Sequence, residues 1–429
     1  MTSVKYGQGE LSFTLELDPA ALLRTAGLPS GADGASLPET PAAALAAPTD
    51  GTAPLAERLS PHRPVTVVVS DLTRAWIPTA RLVGALSSVF VRLGVPDRQV
   101  TILVATGTHR PHTPAELTSL VGAEALARFT VLDHDCRATE LVSFGSTVFG
   151  TPVALNPRVS GEAQVILTGG LSFHLMCGFG GGRKSICPGV AGYDTVQANH
   201  RLVLTDPQGA APRPGALDGN LMHADLMETA ARVNPLFLIN ALPPGADGAG
   251  RFVSGDWRGA WQEGCRRLEA ESRVEVGEPA DLIVAGAGGY PHDLNLYQTV
   301  KAVVHVQAGL RPGGTLVLAS HCTEGLGGGP DFAEALAYGL VEAEQRLRER
   351  FTVPAYAAFR LRGLAERVRI ILVSSLPPEV VGRAGLLPAC SLDEAYALAC
   401  DGLAPGHRTY LVPDASRVLL CRLPADRAG

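Results

Sequence analysis

Residues 174–192 read HLMCGFGGGRKSICPGVAG, a glycine-rich turn that runs into Arg-Lys-Ser. Such a turn can aim the backbone amides of Gly180, Gly181 and Gly182 at a phosphate, with Arg183 adding charge; it can equally be a packing turn. A nucleotide-binding P-loop requires glycine immediately before the lysine and a helix directly after the serine. Here Arg183 precedes Lys184, and Pro188 and Gly189 break any such helix, so ATP hydrolysis is disfavoured. The lysine is itself unusual. Of 36 basic residues only Lys5, Lys184 and Lys301 are lysine. A guanidinium stays protonated and resists acylation, whereas an amine can lose its proton and attack. Lys184 and Lys301 therefore occupy positions where arginine would not serve; Lys5, near the start, reads as chance survival.

Three histidines recur beside such loops: His109 in TGTHRPHT, His174 in LSFHLMCG and His200 in QANHRL. A lone histidine is more often structural, but two at strand ends and one in the helix behind the glycine turn can serve as an acid/base pair and a metal ligand. In SDLTR, Asp71 can orient a histidine and Arg74 can clamp a carboxylate. Gln298 and Lys301, three apart in NLYQTVK, fall on one helix face, either as an exposed face or as a hold on a small anion.

These residues sit on a recurrent frame. Short apolar runs at 65–70, 100–107, 129–133, 163–170 and 235–242 alternate with amphipathic stretches at 78–94, 114–127, 194–204 and 222–233, and a polar helix spans 256–275. A second set follows: strands at 280–289, 313–320 and 368–375, with helices near 294–308, 331–349 and 355–366. Residues 1–18 predict a hairpin, and 26–60, rich in Ala, Pro, Gly and Ser, a loose loop or linker. Buried strands alternating with helices imply two α/β domains with mainly parallel sheets. Residues 1–272 form the N-terminal domain, carrying Lys184 and the histidines, and 273–408 the C-terminal one; the strands of 409–429 can complete either. The reactive clusters follow strands, at the carboxyl ends where open α/β sheets hold ligands, and point to an active site in a cleft between the domains.

A chain of 429 residues with 46% hydrophobic and 18% charged residues builds sizeable cores. A net charge of −6 without a basic run argues against nucleic acid as a partner. No apolar run reaches the ~20 residues that cross a bilayer, and the N-terminus lacks a signal-peptide core, so a cytoplasmic location is expected. The eight scattered cysteines, with no CxxC pair, read as reduced thiols.

The motifs SDLTRAW, ATGTHRPHT, HLMCGFGGGRKSICPGVAGYDTVQANH and GGYPHDLNLYQTVKA, spread over most of the chain, resemble those of the nickel-pincer lactate racemase family. The resemblance implies a 2-hydroxy acid racemase or epimerase whose cofactor is the nickel-pincer nucleotide, pyridinium-3,5-bisthiocarboxylic acid mononucleotide nickel, attached covalently at Lys184 as a thioamide. By position His200 matches the nickel ligand, and His109 and His174 match the two proton-transfer residues. Arg74, Gln298 and Lys301 match groups around the substrate carboxylate, with Asp71 in support and Tyr297 beside them. Thr73, Gly181, Gly182 and Arg183 fall with the cofactor-binding residues. The implied chemistry is reversible: the 2-hydrogen leaves as hydride to the cofactor, a planar 2-keto acid results, and hydride returns to either face. The implied partners are a small 2-hydroxy acid and the carboxylase, sulfur transferase and nickel insertase that build the cofactor; an oligomer is compatible with the sequence.

The chain departs from that pattern in places. Its glycine loop lacks the serine of the usual GxSGG, Tyr356 stands where the lactate enzyme carries tryptophan, and GLGGGP at 325–330 is richer in glycine than expected. The substrate can therefore be larger than lactate. The rival reading is a phosphate- or nucleotide-binding relative without racemase activity. A nicotinamide-dependent dehydrogenase fails, since no strand is followed by GxGxxG with an acidic residue about 20 positions on.

Overall fold

The computed structural model describes residues 2–8, 11–17, 22–25, 36–205, 212–244 and 249–422. They divide into two compact units, residues 33–269 in one and residues 270–429 with 1–32 in the other.

In the first unit, runs such as VTVVVS and QVILTGG are buried along nearly their whole length, as strands covered on both faces must be. The strands are β1 (Val65–Ser70), β2 (Val100–Ala105), β3 (Thr130–Asp133), β4 (Gln164–Gly170), β5 (Phe237–Leu242) and β6 (Arg251–Gly255), in the order β6-β5-β4-β1-β2-β3. All neighbours are parallel except β5 and β6. Since β4, β1 and β2 are adjacent and parallel, the loops that follow them emerge side by side at one edge of the sheet. Helices α1 (Thr79–Leu93), α2 (Tyr193–Arg201), α3 (Leu221–Val233) and α4 (Gly259–Ser272) belong to the same unit.

The second unit holds β7 (Ala280–Gly286), β8 (Leu310–Ala319), β9 (Arg369–Val373), β10 (Leu387–Ala389) and β11 (Arg408–Val412), with helix α5 (Leu296–Val306) after β7. The sheet order is β10-β9-β8-β7-β11 followed by the strand Leu22–Thr25, and every pair is parallel.

Both α/β units with mainly parallel sheets follow the expectation. Three local expectations do not. The sequence pattern places the N-terminal segment in the first domain, yet Leu22–Thr25 pairs with β11 and groups with the second unit. The segment expected to be a loose linker contains helices Pro41–Ala46 and Leu55–Arg58, whose Ala44, Leu45 and Leu55 join the first core; residues 26–35 lie outside the described residues. Single helices expected at 114–127 and 331–349 are each broken in two, the first at Gly122 with φ +89° and the second at extended Tyr338 and Gly339. The terminal strands fall to the second unit, where Leu419–Arg422 pairs with Arg273–Val276. No helix of the described residues is long and apolar enough to cross a membrane.

Candidate functional site

Strand β1 ends by delivering Asp71 into a short 3-10 turn, Leu72–Arg74. Asp71 is buried, and both carboxylate oxygens are engaged: Oδ1 accepts from Thr73 Oγ1 at 2.6 Å and Oδ2 lies 2.6 Å from His109 Nδ1. Burial by itself would raise the Asp71 pKa, but the hydrogen bonds from His109 and Thr73, with the charges of His109 and Arg74, outweigh it and lower it. Facing an ionised acceptor, His109 Nδ1 must donate, so in the neutral ring the lone pair lies on Nε2. Arg74 is exposed and rests its Nη1 on Thr73, 3.3 Å from the carbonyl and 3.2 Å from Oγ1.

The turn after β2 that carries His109 is pinned at its base, where the Gly107 N–H donates to Gly189 O at 3.0 Å. A second histidine of the same motif, His112, braces the Asp71 turn. Its Nε2 accepts the Leu72 N–H at 3.3 Å, while Nδ1 and the backbone N–H meet the two oxygens of Asp133 at 2.7 Å each. Sequence reasoning passed over this pair; a second histidine in HRPHT and an aspartate at the end of β3 were its only trace.

The loop after β4 holds His174 and Lys184, with Lys184 Nζ 3.0 Å from His174 Nε2. Two backbone donors, Met176 and Cys177, meet His174 Nδ1 at 3.2 and 3.3 Å. Gly180, Gly181 and Gly182 do not present three open amides to a ligand. Gly180 N–H donates to Ser172 O at 2.7 Å and Gly182 N–H to Asn240 Oδ1 at 3.0 Å, so two of the three amides are engaged within the protein. Gly182 has φ +52°, and a Cβ there would stand 2.5 Å from Trp261 Cδ1, which explains glycine at this place. The residues directly after Lys184 form no α-helix: Gly182–Ser185 is a single 3-10 turn, and α2 begins only at Tyr193.

Arg183 is fully buried. Its guanidinium lies 3.9 Å from the Trp261 ring and Nη2 donates to Cys177 O at 2.8 Å, while Nε and Nη1 find no hydrogen-bond partner among the described residues. Trp261 Nε1 donates to Gly180 O at 2.9 Å, so the indole holds the glycine turn and the arginine together. Burial lowers the Arg183 pKa, yet a guanidinium remains a cation in a protein.

His200 is buried on α2 and its Nδ1 lies 2.8 Å from Val196 O. The carbonyl can only accept, which puts the proton on Nδ1 and the lone pair on Nε2, the tautomer in which a second hydrogen bond orients a metal-ligating histidine. Burial first, then the charge that Lys184 would carry as an ammonium, brings its pKa down to about 3, so it is neutral near pH 7. Its neighbour Asn199 donates to the buried Asp225 at 2.7 Å, and Asp225 also accepts from Thr151 Oγ1 at 3.0 Å. That network fastens α2 to α3 and to the hairpin formed by Val142–Ser146 and Pro152–Leu155.

In the second unit Asn295 caps α5 by accepting from Gln298 N–H at 3.0 Å. Lys301 Nζ donates to Gln298 Oε1 at 2.5 Å, so the two share one helix face, and Tyr297 packs edge-on against Phe332 at 5.5 Å. Within the first unit, Asp71, Thr73, Arg74 and His109 form one cluster and His174 with Lys184 another. The charge of Arg74 is felt at both residues of the latter.

Family models for the lactate racemase N-terminal domain and the lactate racemase C-terminal domain match residues 6–211 and 276–420. A lactate racemase from Lactiplantibacillus plantarum is 29% identical over 375 residues, 83% of this chain and 84% of that protein. A lactate racemase from Thermoanaerobacterium thermosaccharolyticum is 30% identical over 281 residues, 65% of this chain and 64% of that protein. Among solved structures, the lactate racemase apoprotein from T. thermosaccharolyticum superposes with a TM-score of 0.86 at 24% identity, covering 98% of this chain and 100% of that one. A protein from Thermotoga maritima superposes with a TM-score of 0.64 at 17% identity, covering 86% and 96%.

Proposed function

The chain belongs to the lactate racemase family of isomerases, and from that premise we propose that it inverts C2 of a 2-hydroxy acid with a nickel-pincer nucleotide attached at Lys184. The observation that carries the reading is the Lys184 amine held 3.0 Å from His174 Nε2 in a loop flanked by a buried cation. The remaining residues suit such a group. His200 offers a neutral imidazole with its lone pair on Nε2, and Arg183 offers guanidinium nitrogens that a phosphate monoester would complement. Among the described residues no group of three or more His, Cys, Asp and Glu side chains is gathered to hold a metal, so nickel would take its other ligands from the organic group. The cofactor supplies hydride acceptance and return at C2, chemistry that side chains lack.

The chain's own residues handle protons and orientation. His109, with Nδ1 committed to Asp71, presents Nε2 to take the substrate hydroxyl proton, and the carboxylate steadies the imidazolium that forms. His174, with Nδ1 accepting from the backbone, presents Nε2–H as a hydrogen-bond donor to the substrate oxygen; as the second proton-transfer residue it would donate as an imidazolium, after taking up the proton that His109 removed. At rest, then, both imidazoles are neutral, and the proton taken from the substrate hydroxyl is the one returned to the product oxygen. Arg74 would meet the substrate carboxylate, and Thr73, Gly181, Gly182 and Arg183 the cofactor. The proposal extends to Tyr297, Gln298 and Lys301 as carboxylate-binding groups of the second unit.

The test is expression together with the cofactor-building carboxylase, sulfur transferase and nickel insertase. Intact mass should rise by one mononucleotide at Lys184 with equimolar nickel, and a 2-deuterated 2-hydroxy acid should racemise with its label retained. Lys184→Arg should lose both adduct and turnover. An unmodified Lys184 under these conditions, or loss of the deuterium to solvent during racemisation, would overturn the proposal and favour a nucleotide-binding relative or simple proton abstraction, respectively.

A further inference from the structure

We infer that His174 keeps Lys184 as an uncharged amine in the unloaded protein, by carrying its proton on Nε2 and donating it to the Nζ lone pair. The inference rests on the reading of Lys184 as an attachment point and goes beyond it, to how the chain makes that amine reactive.

The polarity of this hydrogen bond follows from its surroundings. A backbone N–H can only donate. Those of Met176 and Cys177 meet His174 Nδ1 at 3.2 and 3.3 Å, so Nδ1 is the accepting nitrogen. The single proton of a neutral imidazole is then on Nε2, which lies 3.0 Å from Lys184 Nζ. An ammonium has three donors and no lone pair, so it would set N–H against N–H. The opposite polarity, an ammonium donating to Nε2, would turn an Nδ1–H against two backbone N–H groups. A neutral amine accepting from Nε2–H satisfies both ring nitrogens, the two backbone donors and the Nζ lone pair.

The turn that supplies the two backbone donors is held firmly. Phe173–His174 pairs with Gly178–Phe179, and Asn220 Nδ2 donates to Met176 O at 2.8 Å. The charged and titratable groups acting on the pair agree with the assignment. Burial comes first in lowering both pKa values; at His174 the charge Lys184 would carry as an ammonium comes next, and the guanidiniums of Arg74 and Arg183 push the same way at both, as a charged His200 would at His174. The groups that would oppose this at Lys184 are the thiols of Cys177 and Cys187, and burial pushes the Cys187 thiol up, away from the thiolate that could restore the ammonium.

An amine in this state can attack a thiocarboxyl carbon without first shedding a proton. Thioamide formation makes the Nζ–C bond, breaks the C–O bond, and releases the oxygen as water carrying one amine proton and the acid's own proton; no oxidant or reductant is needed. His174 is thus a positioning residue for attachment, before it has any part in turnover.

The experiment uses the full-length unloaded protein. Trace acetylation with acetic anhydride across pH, read by mass spectrometry, reports the neutral fraction of Lys184, with the denatured chain as reference. Lys184 should reach full reactivity at lower pH than in the denatured chain, and His174→Ala should cut its labelling near neutral pH at least about tenfold, the equivalent of one pKa unit. Identical profiles for native and denatured Lys184, or no effect of His174→Ala, would overturn the inference. Nitrogen-15 spectra of the unmodified protein avoid any dependence on the variant's folding: His174 should show a pyrrole-type Nε2 and a pyridine-type Nδ1, and the reverse pattern would be fatal. These readouts need no cofactor, so an unmodified Lys184 after co-expression would refute attachment without touching them.

Discussion

Replacing Asp71 by asparagine should cost the loaded enzyme about thirtyfold in kcat while leaving the fold intact. The magnitude comes from the geometry of the Asp71–His109 pair. With a nitrogen–oxygen contact of 2.6 Å, the charge centres of a carboxylate and an imidazolium stand about 4 Å apart, worth about 4 kcal/mol at an effective dielectric of about 20. The His109 side chain is 53% exposed, so solvent screening removes about half of this and leaves about 2 kcal/mol for the imidazolium formed in the transition state. Asparagine keeps the shape and an acceptor for Nδ1–H but supplies no charge. The assay is loss of optical rotation at saturating substrate, with single and double variants of Asp71→Asn and His109→Ala. If Asp71 acts through His109, Asp71→Asn should cost less than about threefold in the His109→Ala background. The reasoning is wrong if the two losses multiply, or if the single variant turns over at the normal rate.

Two further outcomes follow from buried groups. Trp261→Phe removes the Nε1 donor to Gly180 O and weakens the stacking beneath Arg183, so the urea midpoint should fall by the equivalent of about 2 kcal/mol; an unchanged midpoint would contradict the bracing role. Burial lowers the pKa of His200 and His223 to about 3 and of His305 to about 4, against 6.5 when exposed. At these three sites the unfolded chain binds nearly three more protons around pH 5, so their contribution to stability, full above pH 6.5, should fall by about 4 kcal/mol per pH unit there. Chemical denaturation from pH 7 to 4.5 checks the slope, and a flat profile would show that these histidines titrate normally.

The strands were legible because a doubly covered parallel strand must be apolar throughout: VTVVVS, VTILVA and QVILTGG announce themselves without any partner in view. The functional loops were legible for a related reason, since reactive residues following such runs sit at the carboxyl edge. What escaped depends on contacts distant in sequence. Nothing local in LLRT says that it joins a strand near residue 410, and nothing local in His112 says that its proton faces Asp133. The three-amide nest failed similarly, because Asn240, some sixty residues on, takes the Gly182 amide. Spacing brought forward Asp71 with His109 and His174 with Lys184, which stand in contact; it did not say which atoms were already engaged.

The adjacent pair Arg183-Lys184 shows why this chain, so sparing of lysine, keeps one here. Both cations sit among groups that strip water from them, and burial lowers both pKa values. The consequence differs with the starting point. A guanidinium remains charged even so, and Arg183 secures itself by stacking on Trp261. An amine starts lower and, on the inference drawn above from the Nε2–H of His174, is the one that gives up its proton. One environment thereby yields a fixed positive charge suited to a phosphate and, at the next residue, a nucleophile. Exchanging the two types would lose both properties: arginine at 184 cannot attack, and lysine at 183 would surrender the charge under the same desolvation. The selection of lysine at 184 is therefore a requirement of reactivity rather than of charge, and the sequence can be read that way only because arginine fills nearly every other basic position.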